Sequence, residues 1–346
     1  MKYRPELDTL RAIAVFAVML SHWVPGFAYP INWGLVGVYV FFSISGYVIT
    51  RGLLAEQART SGKIDLRRFF TRRVIRIWPI YFATIAFIYF VYPGFVDGGI
   101  GWHMLFLSNV FFSIKGAFLF PIHFWSLSVE QQFYLIWPLL LIACYRRNLI
   151  IVIACMMVVS PVSRWYFDAH LHNMQAALYS PSSNLDCLAA GALAAAAEAR
   201  KSWHLILNMA GALGAVLLSF ILMMSIRGND LWNISLTGTA ISMISAWLIT
   251  WLGQAENRGR ILCNPFTLYI GRISYGIYLY HLMIGNYIFY STPIGKLPIW
   301  VSTISSAAIT VAVASLSWHL IERPLLSIGR DSIKGGTDSP NPEACS

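Results

Sequence analysis

Long runs of uncharged, mostly apolar residues alternate with short polar segments along the whole chain. Several of these runs are long enough for a helix that crosses the hydrocarbon of a bilayer, which takes about 20 residues. We place predicted spans near residues 8–27, 34–51, 77–96, 123–144, 148–163, 182–197, 204–226, 231–252, 268–290 and 298–320. The pattern predicts an all-α integral membrane protein with about ten transmembrane helices.

The apolar run 98–114 is the main ambiguity in this count. If it crossed the membrane, every later segment would change sides, and ten of the later cations would lie outside against three inside. Cytoplasmic segments of membrane proteins are enriched in lysine and arginine. We therefore expect this run to be re-entrant or to lie on the surface, so that the N- and C-termini are both cytoplasmic.

The basic charge of the chain follows its predicted topology. Charged residues make up only 12% of the sequence, about half the share of a soluble domain, and the net charge is +10. With the N-terminus inside, 21 of the 25 lysines and arginines fall in cytoplasmic segments. The positive charge therefore reflects membrane orientation, and we expect membrane lipids rather than nucleic acid as partners.

Domain organisation is simple in this sequence. We expect one membrane domain over residues 1–328 and a short, disordered cytoplasmic tail over 329–346, which is rich in Gly, Ser and Pro. Chemistry is then expected within the membrane domain, unless a partner supplies it. The five cysteines show no CxxC spacing, and the HLH run at 170–172 has no accompanying ligand set, so we expect no metal.

The first predicted span carries Arg11 and His22 on one face. Eleven residues at 100° each make three turns plus about 20°, and the two side chains lie about 16 Å apart along the axis. Ionisable groups inside a membrane are costly to keep and usually functional. The alternative for His22 is an interior histidine that hydrogen-bonds to a neighbouring helix.

A second cluster of charge precedes the third span. The segment 66–77 reads LRRFFTRRVIRI, a pattern typical of an amphipathic helix at the inner surface. Contacts with anionic lipid account for some of these cations. The cluster also suits a polyphosphate ligand from the cytosol, for which we select Arg72, Arg73 and Arg76 together with Arg11.

Titratable and polar groups gather in the outer half of the predicted bundle. His281 shares a helix face with Ser274 and Tyr278 by i, i+4, i+7 spacing, and we expect the three to line the path of an acceptor. His22 is the candidate general base, and Glu130 is expected to orient its imidazole. A structural ion pair between Glu130 and an arginine remains the alternative.

Two aromatic residues near Glu130 complete the candidate site. Tyr134 lies one turn beyond Glu130, on the same face of the predicted helix. Trp125 comes just before the Glu130 turn, and we expect its ring to stack on a sugar of the acceptor.

Four segments together resemble the acyltransferase-3 family of integral membrane acyltransferases. They are YRPELDTLRAIAVFAVMLSHW, GVYVFFSISGYVIT, RRFFTRRVIRIWPIYF and WSLSVEQQFYLIWPLLL, and the stretches ISYGIYLYH and HLIERPLL are similar to the family's last two spans. The resemblance implies a multi-pass protein of the bacterial inner (plasma) membrane. It also implies transfer of an acyl group, most often acetyl from acetyl-CoA as co-substrate, to a hydroxyl group of a glycan or lipid-linked glycan.

The resemblance also implies roles for individual residues. Arg11 and His22 take the positions of the family's essential pair, and Glu130 takes that of the glutamate in the fourth span. Tyr39 stands where many members have aspartate, and Gln131 where a second glutamate is common.

The sequence thus supports a membrane O-acetyltransferase as the leading hypothesis. A transporter that moves a glycan, lipid or small anion without chemistry is the main alternative, although the two halves of the chain show no internal similarity. A regulatory partner of a polysaccharide-synthesising system is a third. The acceptor, the acyl group, direct transfer or an acyl-enzyme, and the oligomeric state are left open.

Overall fold

The described part of the chain is built from helices. A computed structural model describes residues 3–27, 31–91, 98–115, 120–144, 146–199, 204–226, 233–253 and 263–327, and no strand occurs among them. The α-helices are α1 (Pro5–Trp23), α2 (Trp33–Arg59), α3 (Leu66–Val91), α4 (Ile100–Met104), α5 (Ser108–Lys115), α6 (Phe124–Ala143), α7 (Arg146–Trp165), α8 (Met174–Tyr179), α9 (Leu185–Ala199), α10 (His204–Ile226), α11 (Asn233–Gly253), α12 (Pro265–Arg272), α13 (Ser274–Ser291) and α14 (Ile299–Ser317). The predicted tail 329–346 lies outside the described residues.

Six of these helices are long and apolar enough to cross a membrane, which confirms the predicted all-α membrane class. They correspond to α2, α3, α7, α10, α11 and α14. The other four predicted spans also coincide with helices, namely α1, α6, α9 and α13. Of these, α9 has only 15 residues, and α1 carries three charged side chains in its first two turns. The count of ten spans and the cytoplasmic termini stay predictions.

Two elements differ in detail from the sequence-based expectation. The basic segment 66–77 is no separate surface helix: it is the first half of α3, which continues through Pro79 to Val91. At about 1.5 Å per residue, the 26 residues of α3 are longer than the hydrocarbon is thick, so its basic end extends beyond it. The predicted span 268–290 is divided at Ile273 into α12 and α13.

The ambiguous run 98–114 forms two short helices and no continuous span. The helices α4 and α5 have five and eight residues, and Phe106 between them has a φ of 55°. At about 1.5 Å per residue, neither can cross a hydrocarbon layer about 30 Å thick. The expectation that this run does not cross as a helix is therefore met.

Small residues bring the helices α2 and α9 into backbone contact. A Cβ added at Gly46 would lie 2.0 Å from the carbonyl oxygen of Leu188, and one added at Gly191 would lie 1.9 Å from that of Ser43. Helices in lipid gain their association from close packing rather than from the hydrophobic effect, which favours such glycines. Most of α9 is alanine, and 11 of its residues are buried.

A buried ion pair joins α7, α9 and α11. Arg164 donates a hydrogen bond to Asp186, and both side chains have 0% exposure. Thr239 on α11 lies 2.8 Å from the arginine and 2.7 Å from the aspartate. Removing one partner of such a pair typically costs about 3–5 kcal/mol, because the other charge is left buried. Asp186 therefore serves packing.

Substitution of Gly191 by alanine should destabilise the fold. The added methyl group overlaps the α2 backbone, and overpacking of this kind costs about 1–3 kcal/mol. We expect a lower melting temperature for purified Gly191→Ala in detergent. Gly101→Ala is the matched control, because a Cβ at Gly101 meets nothing within 4 Å. Equal melting temperatures for both variants would contradict the backbone contact.

Candidate functional site

A pocket lined by arginines lies between α1, α2, α3, α6 and α13. Its volume is about 220 Å³, and we call it the arginine pocket. The polar side chains that line it are Arg11, Ser45, Arg72, Arg73, Arg76, Ser126, Glu130, Tyr134, Ser274, Tyr275 and Tyr278. The structure therefore brings together all four arginines selected from the sequence with four further predicted site residues.

Three of these arginines have no carboxylate partner. Among the described residues, no ion pair within 4.0 Å involves Arg72, Arg73 or Arg76. The Arg73 guanidinium lies 3.5 Å from the centre of the Phe69 ring and 5.3 Å from that of Tyr134. These aromatic faces hold the cation in place without neutralising it. The pocket thus carries a positive charge that suits an anionic ligand.

Arg11 differs from the other three arginines because it is paired. Its Nη1 donates to Asp8 at 2.8 Å, three residues earlier on α1. This pair offsets the charge of Arg11 at one wall of the pocket. The excess positive charge therefore comes from α3.

Glu130 is bound by hydroxyl groups inside the arginine pocket. It accepts hydrogen bonds from Ser45 on α2 and from Tyr134 one turn along α6. The sequence predicted that Glu130 orients His22, and the structure does not place the two together. Glu130 lines the arginine pocket, whereas the His22 ring packs on His281 near the C-terminal end of α1. The predicted alternative, an ion pair with an arginine, is also absent within 4.0 Å among the described residues.

A second pocket of about 670 Å³ adjoins the first. Arg11 and Arg76 line both cavities, so the two meet at these side chains. The adjoining pocket adds Arg272 and Arg323, and Trp318 also lines it. The sequence-based selection missed these two arginines, which it counted only as cytoplasmic charges. Their positions beside the ISYGIYLYH and HLIERPLL stretches were the available signal.

Three histidines form a cluster near the C-terminal end of α1 and the middle of α13. The ring centroid of His281 lies 5.3 Å from that of His22 and 5.2 Å from that of His123, and we call these three residues the histidine cluster. His123 and His281 are buried, with 2% and 0% exposure, whereas His22 is exposed. Sequence reasoning missed the place of His123 beside His281.

Tyr278 lies between the arginine pocket and the histidine cluster. It lines the pocket, and its ring is 5.5 Å from His281 and 5.7 Å from His123. Its hydroxyl donates to the carbonyl oxygen of His123 at 3.1 Å and lies 2.6 Å from the hydroxyl of Ser126. One hydrogen-bonded side chain therefore contacts both the pocket and the cluster.

The predicted acceptor path along α13 is divided by Tyr278. Ser274 and Tyr278 line the arginine pocket, whereas His281, one turn further along, faces the other histidines. Seven residues separate Ser274 from His281, which is about 10 Å along the helix axis. The same division applies to α1. Arg11 lines the arginine pocket and His22 belongs to the histidine cluster.

Trp125 takes no part in either cavity. Its side chain is 4% exposed, with its ring centroid 4.9 Å from that of Tyr179 and 5.8 Å from that of Phe42. The expectation that this ring stacks on a sugar is wrong, because its faces are already packed in the core. Within the described ranges, no group of three His, Cys, Asp or Glu side chains could hold a metal ion.

Known proteins resemble the chain over most of its length. Residues 4–319 match the family described as "Acyltransferase domain". A Staphylococcus aureus (strain MSSA476) protein provisionally named an O-acetyltransferase is 27% identical over 370 residues, which cover 95% of this chain and 58% of that protein. The peptidoglycan O-acetyltransferase OatA of Listeria monocytogenes is 28% identical over 373 residues, covering 95% and 56%. The chain thus spans less than three fifths of these relatives. No solved structure matches it.

Inorganic pyrophosphate should bind the arginine pocket and stabilise the purified protein. At about 100 times the Kd, a ligand of the folded state adds about 2.7 kcal/mol of stability. We expect the thermal shift to be lost in the double variant Arg73→Gln/Arg76→Gln and to weaken with added salt. Arg67→Gln on the same helix, which lines neither pocket, should keep it. Equal shifts in all three proteins would rule out the pocket as an anion site.

Proposed function

The chain belongs to the acyltransferase family whose domain it matches over residues 4–319, and we propose that it is a membrane O-acetyltransferase. In this proposal it resides in a bacterial plasma (inner) membrane. It moves an acetyl group from cytosolic acetyl-CoA to a hydroxyl group of a cell-surface glycan or lipid-linked glycan. The observation that carries the proposal is the arginine pocket, which ends at Tyr278 beside the histidine cluster.

The two adjoining pockets are proposed as the site of the donor. Acetyl-CoA carries several phosphate charges at its nucleotide end and a thioester at the end of a flexible arm. By the positive-inside rule we expect the adjoining pocket, with Arg272 and Arg323, to lie near the cytosol. The phosphates would bind there and at Arg76, while the thioester end enters the arginine pocket. A pocket of about 220 Å³ is smaller than the 300 Å³ or so that usually encloses a whole ligand, which supports insertion of one end only.

Glu130 and its hydroxyl partners are proposed to act on the donor side. Ser45 and Tyr134 already donate to the carboxylate, which keeps this negative charge fixed inside a positive pocket. Ser274 lines the same cavity and has a hydroxyl that can donate to a carbonyl oxygen. These groups would position the thioester, so that transition-state charge develops beside fixed dipoles.

His22 is proposed as the general base, or as a transient carrier of the acetyl group. A neutral imidazole takes the proton of the acceptor hydroxyl as that oxygen attacks the acetyl carbonyl carbon. The new C–O bond forms, the C–S bond breaks, and the proton finally passes to the CoA thiolate, which leaves as the thiol. His22 is the exposed member of the histidine cluster, which supports contact with an acceptor from the outer side.

The names of two relatives support a glycan as the proposed acceptor. OatA of L. monocytogenes is named a peptidoglycan O-acetyltransferase, and a Bacillus subtilis relative, 29% identical over 376 residues, provisionally bears the same name. A transporter of a glycan, lipid or small anion is the alternative. Such a protein has no need of acetyl-CoA, so donor-dependent chemistry separates the two.

Glycan acetylation in cells tests the enzyme directly. A deletion strain complemented with the wild type should show an acetyl mass increment on a surface glycan, and His22→Ala at equal protein level should lose it. Mass spectrometry of the isolated glycans measures both and identifies the acceptor. Full acetylation with His22→Ala would remove this residue from the mechanism. No increment on any glycan with the wild type would favour transport or another acceptor.

The donor site is tested by kinetics in purified protein. Loss of a hydrogen bond to a charged group costs about 1.5–3 kcal/mol, which corresponds to roughly a 10- to 150-fold change. We expect Arg272→Gln and Arg323→Gln to raise the KM for acetyl-CoA by about tenfold or more, with kcat little changed.

Arg59→Gln is the control for this experiment. It also removes a predicted cytoplasmic cation, but Arg59 lies at the end of α2 and lines neither pocket. Donor kinetics that stay at the wild-type level in the Arg272 and Arg323 variants would place the nucleotide elsewhere.

A further inference from the structure

Two buried histidines have their tautomers fixed by backbone carbonyl groups of α13. The Nδ1 of His281 lies 2.6 Å from the carbonyl oxygen of Tyr278, and the Nε2 of His123 lies 3.1 Å from that of Leu279. A carbonyl oxygen only accepts hydrogen bonds, so each of these ring nitrogens carries the hydrogen. In a neutral imidazole the other ring nitrogen is then a bare acceptor.

The two bare nitrogens have no partner in the described part of the chain. They are Nε2 of His281 and Nδ1 of His123, and both atoms are buried. Buried polar atoms in folded proteins are nearly always hydrogen-bonded, so an unpaired one calls for an explanation. Here two of them occur in rings whose centroids are 5.2 Å apart. Neighbouring unpaired acceptors point to a ligand that donates hydrogen bonds.

Trp23 places an unpaired donor beside the same histidines. Its Nε1 is buried without a partner, and its ring lies 6.4 Å from that of His281. Gly285 makes room for the indole, since a Cβ there would lie 2.1 Å from Nε1. His22, the exposed member of the cluster, contacts His281. The buried histidines and Trp23 thus offer two hydrogen-bond acceptors and one hydrogen-bond donor next to a residue that reaches the surface.

This set of groups matches hydroxyls and excludes anions. A hydroxyl group donates one hydrogen bond and accepts others, so neighbouring hydroxyls of a sugar satisfy both histidines and the indole. A phosphate or carboxylate would present only lone pairs to the bare nitrogens. The arginine pocket has the opposite preference. The two sites therefore separate the anionic acetyl-CoA from the neutral sugar that accepts the acetyl group.

We infer that His123 and His281 form a hydroxyl-binding subsite that holds the sugar acceptor beside His22. The subsite binds hydroxyl groups next to the one that reacts, and the Trp23 indole contributes a hydrogen-bond donor. The inference rests on the proposed acetyl transfer and adds to it two specificity-determining residues and a chemical class of acceptor. His281 and His123 position the acceptor, whereas His22 faces the reacting hydroxyl.

The test compares variants that remove the bare nitrogen with variants that replace it. His281→Leu and His123→Leu remove the hydrogen-bond-accepting ring nitrogens, whereas His281→Gln and His123→Asn return a side-chain oxygen near the same position. In the complemented deletion strain we expect at least a tenfold loss of glycan acetylation with each leucine variant and partial recovery with each amide. The thermal shift that acetyl-CoA gives to the purified full chain should stay unchanged in all four.

His103→Leu controls for the loss of any buried imidazole. Its ring is 2% exposed, lies on α4 outside both sites, and is satisfied through Nδ1 by the Ser108 hydroxyl at 2.7 Å. Burial lowers the pKa of His103 to about 4, so this ring is also neutral at physiological pH. We expect acetylation per molecule of this variant to stay near the wild-type level.

A spectroscopic measurement decides the case if the leucine variants do not accumulate. Nitrogen NMR of the ¹⁵N-histidine-labelled wild type in lipid should show His281 protonated at Nδ1 and His123 at Nε2. The opposite tautomer in either ring, or leucine variants with wild-type acetylation, would overturn the inference. If the wild type acetylates no glycan, the proposed function fails, and the tautomers still decide whether the subsite exists.

Discussion

The cost of holding charge inside a hydrocarbon layer governs this structure. A charged side chain there needs a partner or a functional reason to remain unpaired. Arg164 and Asp186 meet this requirement by pairing with each other at zero exposure. Arg72, Arg73 and Arg76 of α3 have no ion-pair partner among the described residues, and they line a pocket together with a carboxylate held by hydroxyl groups. The contrast between the paired and unpaired charges identifies the site more clearly than any single residue does.

The site divides its chemistry by depth. Cations, one carboxylate and several hydroxyls occupy the arginine pocket, while neutral imidazoles and an indole occupy the histidine cluster. α1 and α13 run through both regions and so fix their separation. A donor rich in phosphate and an acceptor rich in hydroxyl groups differ in the same way. In the proposed function, each region would select one substrate by the sign and direction of its hydrogen bonds.

Much of this arrangement could be predicted from the sequence, because it depends on local periodicity. The 11-residue spacing of Arg11 and His22 places both beside α13, and the basic start of α3 does line a pocket. The failures concern contacts between distant segments. Glu130 bonds to Ser45 on another helix, and Trp125 is enclosed by neighbours that no local pattern reveals. Likewise, the bare nitrogens of the histidines depend on which backbone carbonyls lie beside them.

The position of Tyr278 has a consequence for the cell's energy supply. In the proposed orientation the arginine pocket opens to the cytosol, and a continuous cavity from there to the exposed His22 would let ions or protons cross the bilayer. Tyr278 lines the pocket beside the histidine cluster, and its hydroxyl donates to the backbone of His123 and lies 2.6 Å from the hydroxyl of Ser126. In that arrangement this side chain would keep the membrane electrically insulating between turnovers.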